Sequence, residues 1–150
     1  YVLDITIEEL PAEGIDLEVV KNRYSGFSWR GIKAWNKDNS HMTTDSGHNR
    51  DNANGELNRW FAVAGTTESG KATMLMMSAA AKNGGTPERA RVWNSKTMHG
   101  TPFANFNPVV KESFPMKAGQ KEVASRRYRL IVADRVIEAT EAEKLWKAWD

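Results

Sequence analysis

Tyr1, Leu3, Ile5 and Ile7 alternate with Val2, Asp4, Thr6 and Glu8. Successive side chains of an extended chain point to opposite faces, so this period of two marks a half-buried strand. The pattern returns near the other end, over residues 121–133, where Ser125, Arg127 and Arg129 alternate with Tyr128, Leu130 and Val132. Shorter strands are expected at residues 15–20, 24–32, 59–64, 71–78 and 89–93, separated by Gly, Pro and Asn punctuation. The run Met74-Leu75-Met76-Met77 before three alanines is ambiguous with a helix. Its shortness and its Gly and Asn borders favour a strand, with the methionines as core filler and not a copper site.

Residues 36–58 are dominated by Asn, Asp, Ser, Thr, Gly and His and predict a long loop. Loops beyond about 12–15 residues are usually functional or disordered. A second irregular stretch covers residues 94–115. One helix is expected at the C-terminal end. Thr140 and Glu143 have capping-box spacing, and Leu145, Trp146 and Trp149 share a face that would dock on a sheet. About seven strands and a terminal helix predict an all-β fold, an antiparallel β-sandwich of jelly-roll or galactose-mutarotase-like form. Residues 1–150 read as a single domain, and the abrupt start at Tyr1 inside a strand predicts a piece of a longer protein.

Charge and composition remove several functions. Lys plus Arg is 21 against 19 Asp plus Glu, with a single basic cluster at Arg126, Arg127 and Arg129. That is too little for a phosphate-tracking stripe, so nucleic acid is not an expected partner. No apolar run approaches the ~20 residues of a spanning helix, so membrane insertion is not expected. The absence of cysteine excludes thiolate metal sites, thiol nucleophiles and disulfides within this chain. It leaves the compartment open, with the periplasm and the extracellular space among the candidates. No cofactor motif is present, and the oligomeric state is open.

Several short landmarks occur in order: Tyr24-Ser25-Gly26-Phe27-Ser28-Trp29-Arg30, Asp45-Ser46-Gly47, Arg59-Trp60 leading to Gly65, Thr86-Pro87, Arg91-Val92-Trp93, Phe106-Asn107-Pro108 and Arg127-Tyr128-Arg129-Leu130. In order and spacing they resemble the "methane oxygenase PmoA-like" family, a misnamed bacterial domain of unknown function, and its later part in particular. That resemblance implies a β-sandwich in polysaccharide-degrading bacteria, associated with sugar oxidoreductases and keto-glycoside hydrolases. The chain departs from it in two places. It lacks the upstream Asp-His-Pro-His-His-Arg stretch, and it reads Ser78-Ala79-Ala80-Ala81 where the family tends to carry Asp-His-Pro.

The residues themselves nominate two sets. His41, Asp45 and His48 in the polar segment are the candidate catalytic group, an imidazole–carboxylate set for acid–base work on a sugar hydroxyl. Their spacing matches no metal motif, and the ordinary reading is a solvated loop of turn formers. Arg30, Trp35, Arg59, Trp93 and Asn107 are the candidate ligand-binding group. Each arginine neighbours a tryptophan, so in a strand the two project to opposite faces. The guanidinium is then placed to hold a carboxylate or sugar oxygens, or else to pair with an acidic residue across the strand. Trp35, beside Asn36, Lys37 and Asp38, is the expected surface platform for a sugar ring, although a buried tryptophan is more often core. Asn94, Asn105 and Asn107 are near enough in sequence to Trp93 and Phe106 to offer hydroxyl partners. No nucleophile-elbow motif supports a serine triad, and Asp45, Asp51 and Glu56 are available for a carboxylate pair that sequence cannot place. The leading expectation is a carbohydrate-associated domain of bacterial sugar catabolism, binding or helping to process a saccharide or oxidised glycoside. The alternatives are a structural or interaction domain without a small-molecule site, and a metal-dependent hydrolase or lyase on glycosides.

Overall fold

In the computed structural model, described for residues 1–20, 22–108, 113–120 and 124–149, the chain forms two packed antiparallel sheets with one helix on the outside. The strands are β1 (Val2–Glu9), β2 (Leu17–Val20), β3 (Phe27–Arg30), β4 (Ser40–Thr44), β5 (Leu57–Asn58), β6 (Trp60–Thr67), β7 (Gly70–Ser78), β8 (Glu88–Val92), β9 (Phe103–Asn107), β10 (Ser113–Met116) and β11 (Ala124–Ala133); the helix is α1 (Ala139–Ala148). A five-stranded sheet runs β1-β11-β7-β6-β4, a four-stranded sheet β3-β9-β8-β5, and β10 pairs with β2 in a separate ribbon. The antiparallel β-sandwich with one short C-terminal helix is therefore the fold.

Seven of these strands coincide with periodic runs in the sequence. Residues 121–123, the start of the longest expected strand, lie outside the described residues. The other four, β4, β5, β9 and β10, lie in the two stretches read as irregular. They escaped because their outward positions are polar and their inward residues are few. In β4, for example, Met42 packs inward between buried Ser40 and Thr44.

Two cores sit on opposite faces of the five-stranded sheet. Phe61, Val63, Met74, Met76 and Tyr128 meet Ala90, Val92, Ala104 and Phe106 of the four-stranded sheet, with the Phe61 and Phe106 rings 4.7 Å apart. Trp60, Ala62, Leu75 and Met77 face the other way, onto Ala142, Trp146 and Trp149. β6 and β7 are thus covered on both sides, which is why Met74-Leu75-Met76-Met77 shows no polar alternation. At about 1.5–3 kcal/mol for each large side chain removed from water, these two layers dominate the stability.

Helix α1 departs from the expected start. Its N-cap is Glu138, with no side-chain cap bond, so Thr140 and Glu143 do not form a capping box. The Glu143 carboxylate instead accepts from Arg59 Nη1 and Nη2, both at 3.1 Å, and from Trp60 Nε1 at 2.9 Å. A guanidinium and an indole N–H outcompete the backbone amide for that carboxylate. Trp146 and Trp149 bury as expected, and Trp146 Nε1 donates to the Ser78 carbonyl at 2.8 Å.

Candidate binding face

The register of the four-stranded sheet divides its residues by parity. Phe27, Phe106 and Ala90 lie in one cross-strand row and Trp29, Ala104 and Val92 in another, all toward the inner core. The opposite face carries Ser28, Asn105 and Arg91 in one row and Asn107 beside Arg89 in the next. A third row joins Arg30, Phe103 and Trp93, the last through its amide to the Phe103 carbonyl at 3.3 Å. A strand that reads Arg-Ala-Arg-Val-Trp must present both arginines and the tryptophan together.

Rings and cations alternate along this outer face. The Arg30 guanidinium lies 4.6 Å from the centre of the Trp93 ring. Trp93 stacks on Phe103 at 4.8 Å, and Phe103 meets Tyr24 edge to face at 5.9 Å. Arg91 stands 5.7 Å over Tyr24. Three rings therefore form a file with a guanidinium at each end. The Tyr24 ring is 49% exposed, whereas Trp93 and Phe103 are buried.

The segment carrying Tyr24 is tied down by the sheet's asparagines. Asn105 Nδ2 donates to the Ser25 carbonyl at 2.9 Å and to Ser28 Oγ at 2.8 Å, and Asn107 Nδ2 to the Asn22 carbonyl at 2.6 Å. Gly26 is required here: its φ is +88°, and a Cβ would stand 2.1 Å from the Phe106 carbonyl oxygen. Beneath this segment the polar groups are incompletely partnered. Arg89 Nε, Arg91 Nε, Trp93 Nε1 and Asn105 Oδ1 are buried without a hydrogen bond, four of the five such atoms among the described residues. Buried polar atoms are nearly always satisfied, because each orphan costs about 1–3 kcal/mol. Four of the five lie on this one face.

The sequence-nominated residues divide between this face and the rest of the molecule. Arg30 and Trp93 meet here, and Asn107 lies on the same outward face two rows away, beside Arg89. Arg59 is not among them: it stands between β5 and β6, where its Nε donates to Asp45 at 2.7 Å and its Nη atoms to Glu143. Trp35 is corrected from surface platform to core residue. It is 4% exposed, donates to the Thr66 carbonyl at 2.8 Å, and lies so close to Gly65 that a Cβ there would be 2.5 Å from its ring. The ring packs under the loop that its polar neighbours decorate.

His41, Asp45 and His48 do not converge. His41 is exposed on β4, an edge strand. Asp45 also accepts the Arg59 amide, at 3.1 Å, so both its oxygens are engaged by Arg59. His48 Nδ1 lies 3.0 Å from Ser46 Oγ, which is shared with Thr44 and Asn58, and among the described residues no carboxylate bonds the imidazole. Among the described residues no three His, Asp or Glu side chains gather as metal ligands. Residues 36–58 are likewise not a free loop. They contain β4, and Arg50, only 5% exposed, clamps them by donating to the Ser40 and Gly100 carbonyls at 2.6 and 2.7 Å.

A cavity of about 870 Å³ opens elsewhere, between the end of α1 and the ends of β7, β8 and β11. Glu88 lines it, 4% exposed, accepting from Ser78 Oγ at 2.6 Å and Tyr128 Oη at 2.8 Å. Burial pushes the Glu88 carboxyl above its ordinary range, with the two hydroxyls and Arg126 opposing. Most of its wall groups are partnered, although Trp149 Nε1 is buried there without a hydrogen bond. Arg126 is paired with Glu9, Lys82 lies 4.5 Å over the Trp146 ring, and Arg127 lies 5.6 Å over Trp149.

Sequence reasoning missed Arg89, Arg91 and Tyr24 as site residues. The signal was available in the alternation of residues 89–93, which sets a cationic face against an apolar one. Glu88 was missed with less excuse from chemistry, since that same alternation puts it inward beside Ala90 and Val92.

Fold and face together define a class: an antiparallel β-sandwich whose four-stranded sheet carries arginines on its outer side, with the half-exposed Tyr24 ring laid over its buried rings. The chain belongs to a family of unknown function (DUF6807), whose family model matches residues 1–147. This corrects the resemblance to the PmoA-like family, for which no match is found. Neither the curated proteins nor the solved structures contain a match to the chain.

Proposed function

We propose that this domain binds a saccharide on the outer face of its four-stranded sheet. The half-exposed Tyr24 ring supplies the apolar platform on which one face of a pyranose stacks, and Ser28, Arg30 and Arg91 border it with hydrogen-bonding groups. What carries the reading is the file of three rings ended by two guanidinium groups, with its Tyr24 ring half exposed to solvent. Ligand sites combine a ring or apolar platform with a few convergent polar groups in this way. Two of the three sequence-nominated residues on this face, Trp93 and Asn107, act from beneath: one supports the ring file, the other fixes the segment that bears Tyr24.

Titration calorimetry with a panel of mono- and disaccharides tests the proposal. Binding is expected with at least one sugar, and Tyr24→Ala is expected to weaken it about tenfold or more without altering the melting temperature, as loss of a stacking ring should. Silence across the panel would leave a structural or interaction domain as the reading.

A further inference from the structure

We infer that the saccharide recognised at this face is acidic: a sugar ring carrying an oxyanion, either a carboxylate or a sulfate ester, held between Arg30 and Arg91. This rests on the saccharide reading above and adds the chemical class of the ligand. Its source is the way the arginines of the chain are neutralised.

Away from this face, the arginines with buried or half-buried side chains have been given oxygens. Arg59 holds Asp45 and Glu143, Arg126 holds Glu9, and Arg129 holds Asp4 at 2.6 Å. Buried Arg50 is the exception away from this face: it donates to three neutral oxygens and to no carboxylate among the described residues. Arg30, Arg89 and Arg91 share one sheet face, and none is paired with a carboxylate among the described residues. Arg30 has only the Trp93 ring. Arg89 donates to the Gly55 carbonyl at 2.7 Å, and Arg91 to Asn54 Oδ1 at 2.8 Å and its neighbour's carbonyl at 3.1 Å. Neutral oxygens partner these hydrogens without balancing the charge.

The unused atoms point the same way. Three are donors (Arg89 Nε, Arg91 Nε and Trp93 Nε1) and one is an acceptor (Asn105 Oδ1). A neutral sugar hydroxyl both donates and accepts, whereas an oxyanion only accepts. Those four atoms lie beneath the surface; the groups that reach solvent are the Arg30 and Arg91 guanidinium groups and the Ser28 and Tyr24 hydroxyls, a donor-rich set that fits the anion better. The guanidinium fork matches the paired oxygens of a carboxylate or sulfate, and the adjoining ring distinguishes a sugar acid from a bare ion. Hydrogen bonding from the Arg91 and Trp93 side chains, followed by the charges of Arg91 and Arg23, holds the Tyr24 hydroxyl below its ordinary value, so part of that donor capacity already serves Tyr24.

The experiment compares, by titration calorimetry on the whole chain, galacturonate and galactose 6-sulfate with galactose, glucuronate with glucose, and inorganic sulfate as a control. At least one acidic sugar is expected to bind about tenfold or more tightly than its neutral counterpart, the usual scale of a charge-assisted pair. That advantage should shrink with added salt and disappear in Arg30→Gln and Arg91→Gln, both of which keep the native melting temperature. Which acidic sugar binds separates carboxylate from sulfate ester as the group read. Equal affinity for acidic and neutral partners would overturn the acidic class and leave saccharide binding standing. Inorganic sulfate binding as tightly as the acidic sugars would overturn it by reducing the face to an anion patch. No binding by any sugar would sink both readings together.

Discussion

Each sheet of this sandwich has an outer face, and the two are finished in opposite ways. On the five-stranded sheet Trp60, Ala62, Leu75 and Met77 are apolar and covered by α1. On the four-stranded sheet the equivalent outward rows hold Arg89, Arg91, Asn105 and Asn107, with no helix over them. The covered face ties up all but one of its polar ring and guanidinium groups at the helix: Trp60 Nε1 on Glu143, Trp146 Nε1 on the Ser78 carbonyl, and Arg59 between two carboxylates, with Trp149 Nε1 left over. The other leaves four buried polar atoms unpartnered. One surface is arranged to hold the molecule together. The other carries most of the unpartnered polar atoms and is where the proposed ligand would sit.

The sharpest way to break this contrast is to truncate the covered face. Trp60→Ala removes a 1% exposed indole and its bond to Glu143. It is expected to cost about 3–5 kcal/mol, read as a loss of the denaturation midpoint at unchanged slope. A cost under about 1 kcal/mol would show that α1 is not a structural layer.

Next in size is Glu143→Ala, which strands the Arg59 fork and the Trp60 N–H at a half-buried position. About 1–3 kcal/mol is expected from lost charge-assisted bonds, discounted toward the lower end because a quarter of the carboxylate side chain remains in water. Arg59→Ala in the same background should then add less than it costs alone, since the two share one network. Strict additivity would mean the pair is decorative.

A smaller, pH-dependent effect is expected at Glu88, which belongs to the inner parity of the four-stranded sheet. Burial raises its folded-state pKa above the ordinary 4.5. The stability it contributes is therefore fully present below that value and is lost as pH rises through the folded pKa. Glu88→Gln, which never ionises, should gain on the native chain as pH is raised from about 4 upward. Chemical denaturation of the two proteins across that range measures the sign; a gap that widens in favour of the native glutamate would mean the carboxylate is stabilised as the anion.

The smallest change is expected on the open face. Arg30→Gln should alter stability by no more than about 0.5 kcal/mol, the usual range for an exposed site outside a network. A loss of 2 kcal/mol would make the ring file structural and erase the difference between the two faces.

Legibility followed the same division. Long alternating runs such as Leu3-Asp4-Ile5-Thr6-Ile7 identify strands from sequence because the period of two is a property of neighbouring residues. Trp146 and Trp149 identify a docking helix face for the analogous reason. Among the nominated site residues, Arg30, Trp93 and Asn107 share one face because each lies in the outward register of its strand, although only the first two touch. Trp35 failed because polar neighbours in sequence say nothing about a ring that turns under Gly65. Asp45 failed because its carboxylate is drawn to Arg59, fourteen residues on.

Local order, then, was settled by the amino-acid string itself: which segments extend, where the chain ends in a helix, and that Arg89, Arg91 and Trp93 project the same way. Only tertiary structure decided which strands became neighbours and which outward surface received α1. Side-chain parity is set within a strand by backbone geometry, but the partner across each row comes from segments tens of residues away. No local pattern carries that choice.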